Sequence, residues 1–203
     1  MKILRKAGGT PLNFTTFFTT FAGNNMPRYA IICYHMPRNE RKFEIMIKIL
    51  FVCHGNICRS PMAEFLLKDI VAKRNIAHQF YIQSAATSTE EIWGLIGNPV
   101  HRGTKQKLAE CGISCEGKRA VQVKKSDYKE YDYLICMDSM NLRNLARIVG
   151  ADKDNKIYRL LDFTDDKRDV ADPWYTGNFD KTYDDIMLGL EAFLDYLKDN
   201  GEI

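Results

Sequence analysis

Ile47-Lys48-Ile49-Leu50-Phe51-Val52-Cys53-His54-Gly55-Asn56-Ile57-Cys58-Arg59-Ser60-Pro61 passes from one structural period to another within a few residues. Ile47 to Val52 is a nearly continuous apolar run, as expected for a parallel strand covered on both faces. A polar, glycine-containing loop follows. A helix is then predicted from about Ser60 to Lys73, with Pro61 in its first turn, where a missing N–H costs nothing. Met62, Phe65, Leu66 and Ile70 give that helix one apolar face.

Outward from this unit the same alternation continues. A second strand fits Phe80 to Ser84, and a loop rich in Ser, Thr and Gly leads to a helix near His101 to Glu110. The third strand is Tyr133 to Met137, followed by a helix through Leu142, Leu145, Ala146 and Val149. The fourth is Lys156 to Leu161. After a long loop, Tyr183, Ile186, Met187, Leu190, Phe193, Leu194 and Leu197 form the stripe of a last helix. Strands alternating with helices imply an α/β, doubly wound parallel sheet with flanking helices. Ligands of such folds bind beyond the carboxyl ends of the strands.

Charge divides the chain. Residues 1–45 hold seven basic and two acidic side chains, which leaves 22 basic and 24 acidic ones in residues 46–203. A nucleic-acid binder carries its basic patch on the folded body, so no nucleic-acid partner is expected. Residues 1–45 read as a disordered or non-native extension and residues 46–203 as the domain, with translation able to begin at Met46. Threonines interrupt the Phe14 to Phe21 run and no good cleavage site follows, which disfavours a secretory signal. No stretch approaches the roughly 20 apolar residues of a membrane span. The six cysteines are too few for a disulfide scaffold and lack zinc spacing. Reduced thiols in a cytoplasmic monomer or weak dimer are the expectation.

Cys53 to Ser60 carries the chemistry. Backbone N–H groups of a strand-to-helix turn, together with a helix N-terminus, form a cradle for anions. Gly55 and Asn56 tolerate the left-handed backbone a tight loop needs. Arg59 offers planar, paired donors that match phosphate oxygens. Cys53, at the floor, is the candidate nucleophile, its thiolate favoured by the helix dipole and Arg59. Ser60 is placed to donate to that sulfur. His54, Ile57 and Cys58 complete the loop, and His54 reads as a residue of the mouth rather than a base. No metal or cofactor is called for, because Arg59 and the amides can balance the transition-state charge. The ATP-type loop is excluded, since Gly-Lys-Ser/Thr is absent.

With Pro61-Met62-Ala63-Glu64, this loop resembles the signature of low-molecular-weight protein tyrosine phosphatases. The resemblance continues through Ser84-Ala85-Ala86-Thr87, Gly97-Asn98-Pro99, Met137 to Leu142 and Asp172-Pro173-Trp174-Tyr175, covering roughly Ile47 to Lys198. It implies a flavodoxin-like four-stranded parallel sheet and hydrolysis of phosphotyrosine in protein substrates through a phosphocysteine. Spacing alone does not choose a general acid among Asp165, Asp166, Asp169 and Asp172; the resemblance assigns Asp172, ahead of Pro173. It also implies that Ser84 bonds Asn56, and that Cys58 can form a reversible disulfide with Cys53. Where relatives often carry a histidine supporting the loop serine, this chain is read as having Cys111, which puts that support in doubt.

Trp174 and Tyr175 sit in a polar stretch and are expected at the pocket rim, with Trp93 as a further wall. Asp138, at a strand end, is expected to cap the following helix. Rival readings are an arsenate reductase, which lacks its relay cysteines here, and a phosphoarginine phosphatase, which Ile57 disfavours. A cysteine phosphocarrier and an inactive binding module are opposed by Cys53, Arg59 and Asp172 occurring together.

Overall fold

The computed structural model describes residues 46–203; the expectation for residues 1–45 lies outside them. The elements are β1 (Ile47–Cys53), α1 (Arg59–Lys73), β2 (Phe80–Ala86), the strands β3 (Ile92–Trp93) and β4 (Ile96–Gly97) of a small hairpin, α2 (Arg102–Glu110) and α3 (Asp127–Glu130). There follow β5 (Tyr133–Cys136), α4 (Ser139–Val149), β6 (Ile157–Arg159), α5 (Pro173–Thr176) and α6 (Phe179–Asp199). One sheet runs β2-β1-β5-β6, parallel throughout.

The apolar run of β1 is explained by cover on both sides. Ile47, Ile49 and Phe51 pack with α1 and α6, through Met62, Leu66, Ile186, Leu190 and Phe193. Leu50 and Val52 face the other way, onto Leu145 and Val149 of α4. A strand wet on one face would have to alternate with polar residues; this one is spared that. Phe51 is fully buried, and its truncation to alanine costs about 3–5 kcal/mol. Gly189 brings α6 close to the sheet's far edge: a Cβ there would lie 2.5 Å from Leu160 Cγ.

The fourth strand is shorter than its apolar pattern predicts. It ends at Arg159, and Leu160–Phe163 form a 3-10 turn. Leu160 and Leu161 are both fully buried, whereas consecutive strand residues would point to opposite faces. The turn brings both to one core, and Asp162 accepts the Arg159 N–H at 2.8 Å to close it. The hairpin, α3 and α5 are too short to leave a periodic signal.

After β2 on one side of β1, the chain crosses to lay β5 on the other. The carboxyl ends of β1 and β5 therefore border the switch point where open α/β sheets bind ligands. Cys53 is the last residue of β1. Among the described residues, no helix is long and apolar enough to cross a membrane.

Candidate active site

The loop leaving β1 closes on itself through Asn56. Its φ of 56° lies in the left-handed region, which asparagine tolerates better than other residues with a Cβ. The buried amide is bonded at both ends, with both of its N–H groups used. Oδ1 accepts the Val121 N–H at 3.1 Å, while Nδ2 donates to Ser60 Oγ at 2.9 Å and to Ser84 Oγ at 2.8 Å. Val121 N can only donate, so the amide orientation follows from its partners.

That orientation sets the direction of the neighbouring protons. Ser84 donates to Glu64 Oε2 at 2.5 Å while accepting from Asn56. Ser60, already accepting from Asn56, is left to donate its hydrogen to Cys53 Sγ, 3.0 Å away. The Asn56 N–H also points at that sulfur, at 3.3 Å. Two donors thus face one buried sulfur, an environment that stabilises negative charge.

Below this, Glu64 is buried between two ammonium groups, Lys118 at 2.6 Å and Lys68 at 2.5 Å. Lys118 also donates to the Ser84 carbonyl at 3.1 Å. Cys111 is elsewhere: it lies beside Tyr183 at the end of α2, where their hydrogen bond and burial push the phenol up. Polar support beneath the loop therefore runs through Ser84, Glu64 and Lys118. The sequence offered Glu64 only within its signature and gave no signal for Lys118.

Arg59, at the first turn of α1, is 3% exposed. Nη1 donates to Asp138 Oδ2 at 2.6 Å and Nη2 to Asp172. Burial opposes its charge, yet Cys53, Asp172 and Asp138 together raise its pKa above the ordinary value. Asp138 has two tasks, because its other oxygen accepts the Asn141 N–H at 2.6 Å and caps α4. Asp172 caps α5, accepting from Trp174 N at 3.0 Å ahead of Pro173.

The remaining acidic candidates go elsewhere. Asp165 is exposed, Asp166 pairs with Arg168 at 2.5 Å, and Asp169 pairs with Arg159 at 2.9 Å.

Cys53, Cys58 and Arg59 belong to a cleft of about 160 Å³ whose other lining residues are His54, Gly55 and Ile57 of the loop, Glu90 and Glu91, and Asp172, Trp174 and Tyr175. Trp174 and Tyr175 are 64% and 86% exposed, so their rings are available at the mouth. Trp93 is not among the lining residues; it stands 74% exposed on the hairpin. Glu91 packs over Gly55, where a Cβ would lie 2.8 Å from Glu91 Cγ. His54 Nε2 pairs with Glu90 Oε2 at 2.9 Å, at the rim. Cys53 and Cys58 are both free thiols. Burial, then the neighbouring Cys53, push the Cys58 thiol up to about 12.

A sulfur set among donors, an arginine that presents a fork and a carboxyl lining the same cleft define a cysteine-based site for a phosphate ester. Comparison with known proteins is consistent with that class. Residues 48–202 match the family model of the low molecular weight phosphotyrosine protein phosphatases. YfkJ of Bacillus subtilis, a low molecular weight protein-tyrosine-phosphatase, is 43% identical over 151 residues, covering 73% of this chain and 94% of YfkJ. PtpA of Staphylococcus aureus is 35% identical over 153 residues, 75% of this chain and 94% of its own. The YfkJ crystal structure superposes with a TM-score of 0.69 over 76% of this chain and 96% of that one, at 42% identity. The Streptococcus pyogenes phosphatase SP-PTP gives 0.65 over 75% and 93%, at 40% identity. The chain belongs to the low-molecular-weight protein tyrosine phosphatase family.

Proposed function

We propose that this protein hydrolyses phosphotyrosine in protein substrates, using Cys53 as nucleophile and Asp172 as general acid and base. The phosphate displaces Asp172 from the Arg59 fork and takes its place, since the guanidinium binds either oxyanion in the same planar manner. Cys53 Sγ attacks phosphorus in line, forming the S–P bond as the P–O bond to tyrosine breaks. Asp172, protonated, gives its proton to the departing phenolate oxygen. A water then attacks the phosphocysteine, Asp172 takes up its proton, and the S–P electron pair returns to Cys53. Ser60 stabilises the sulfur as it leaves. The products are tyrosine and inorganic phosphate.

One observation carries this reading: Arg59, beside the Cys53 sulfur, reaches across to Asp172, so nucleophile, anion binder and proton donor share one small cleft. Ile57 on the wall and Trp174 and Tyr175 at the mouth suit an aromatic ring better than a guanidinium. The free thiols of the described residues suit work in the cytoplasm on phosphoproteins. The test is release of phosphate from a phosphotyrosine peptide by the wild type and by Cys53→Ser. The variant should lose turnover by about 10⁴-fold or more while still binding vanadate or phosphate. Undiminished turnover by Cys53→Ser, or a higher kcat/KM on a phosphoarginine peptide, would overturn the assignment.

A further inference from the structure

Asp185 is an odd residue for its place. It lies on the inward side of α6 and is 1% exposed, on a helix whose core contacts are otherwise Ile186, Leu190, Phe193, Leu194 and Leu197. A buried carboxylate is a poor means of stabilising a helix, because its desolvation offsets most of what its partners return. Its contacts show another use. Arg168 grips it with both ends of the guanidinium, Nη1 to Oδ2 at 2.8 Å and Nη2 to Oδ1 at 2.7 Å. Lys181 Nζ adds a contact at 2.8 Å to Oδ1. Oδ2 also accepts the backbone N–H of Ala171 at 3.0 Å.

Ala171 directly precedes the acid, and α6 holds its other polar group too. Thr182 Oγ1 donates to the Ala171 carbonyl at 2.9 Å. Both backbone groups of that residue are therefore fixed by side chains of one long helix. Between it and α6 lies only α5, a single turn with little core of its own. The acid's position is thus dictated from behind.

We infer that Asp185, with Arg168 and Thr182, is a positioning residue for the reaction, clamping Ala171 so that the Asp172 carboxyl meets the leaving oxygen. The inference rests on the reading of Asp172 as the general acid. A misplacement near 1 Å at a reacting group is enough for about a 10²-fold loss, and such a loss falls on the step that needs the proton. It falls hardest on leaving groups that depart poorly without one.

The experiment measures kcat/KM for a series of aryl phosphates with leaving groups from strongly acidic phenols up to phenol itself, with thermal unfolding of each variant alongside. Asp172→Ala sets the fully acid-deficient slope. Asp185→Asn and Arg168→Ala should give an intermediate slope: about a ten- to hundredfold loss on phenyl phosphate and less than about threefold on the most acidic phenol. Arg168 is the better tolerated site, its side chain being 34% exposed, and it keeps the test alive if Asp185→Asn fails to fold. Thr182→Val should shift the slope the same way and by less. Equal losses across the series, or none, in Asp185→Asn and Arg168→Ala would overturn the clamp. A flat series for Asp172→Ala would instead remove the acid role itself, and the clamp with it.

Discussion

Residues 54–58 and residues 164–172 meet across Arg59, yet they are held in different ways. The first loop is fixed from within and below: Asn56 bonds Ser60, Ser84 and Val121 through both ends of its amide, and the sulfur faces donors from its own loop and the adjoining helix turn. The second has no regular structure for most of its length and is tied down residue by residue to different elements. Arg168 goes to α6, Asp169 to the start of α4 through Ser139, Val170 N to the carbonyl of Met137 at 2.9 Å, and Ala171 to α6 again. A nucleophile requires a constant field, which neighbouring atoms supply. A group that must hand over a proton and later take one back is instead set at the end of a tether.

Four experiments break or sharpen this contrast, from the largest effect to the smallest. Arg59→Lys removes the fork that joins the two loops; kcat/KM on a phosphotyrosine peptide should fall about 10²- to 10³-fold. Near-normal activity would mean the loops do not communicate through the guanidinium. Asn56→Ala should cost about ten- to a hundredfold in turnover and about 1–3 kcal/mol in urea unfolding, because buried partners lose their bonds. A stability loss with turnover intact would sever the Asn56 network from the sulfur.

Acid titration probes the second loop. Burial opposes ionisation of Asp185, but Arg168, Lys181 and the Ala171 N–H hold its carboxyl down to about 2 from the ordinary 3.8. A depressed folded-state value gives stability that is present above about pH 4 and lost as pH falls toward 2, amounting to about 2 kcal/mol. Urea unfolding of Asp185→Asn should therefore show a flatter decline across that window than the wild type, and parallel curves would remove Asp185 as a contributor. Gly55→Ala should matter least. Its added methyl meets Ile57 Cγ1 at an ordinary 3.8 Å and crowds only Glu91, whose side chain must shift, so about 0.5 kcal/mol is expected in unfolding, with turnover changed by less than about threefold.

The same contrast explains what could be read from the sequence. The sheet followed from apolar runs, because a strand buried on both faces writes its own signal; the ends of β2 and β5 differ by one or two residues, and the largest difference is at the end of β6, where Leu160 and Leu161 turn together into one core. The nucleophile loop was legible because its parts are contiguous. The acid loop was not: of four aspartates with similar neighbours, Asp165 is exposed, Asp166 pairs with Arg168 two residues on, and only Asp169 and Asp172 reach across the fold, to Arg159 and Arg59. Resemblance to the family, rather than spacing, singled out Asp172. Glu64 and Asp185 on their helices, and Lys118 in its loop, escaped for the same reason, since a charged residue reads as solvated until the element that covers it is known.

The high setting of Cys58 has a practical corollary. Burial and the neighbouring Cys53 hold that thiol far above the ordinary value, so it stays protonated at neutral pH. Haloacetamides consume thiolates, so the loop's second sulfur is silent to them under those conditions. Burial leaves Cys115 and Cys136 shifted in the same direction. A mass-spectrometric footprint of the peptide spanning both loop cysteines would therefore be free of a contribution from Cys58, so that any adduct on it reports on access to the floor of the cleft.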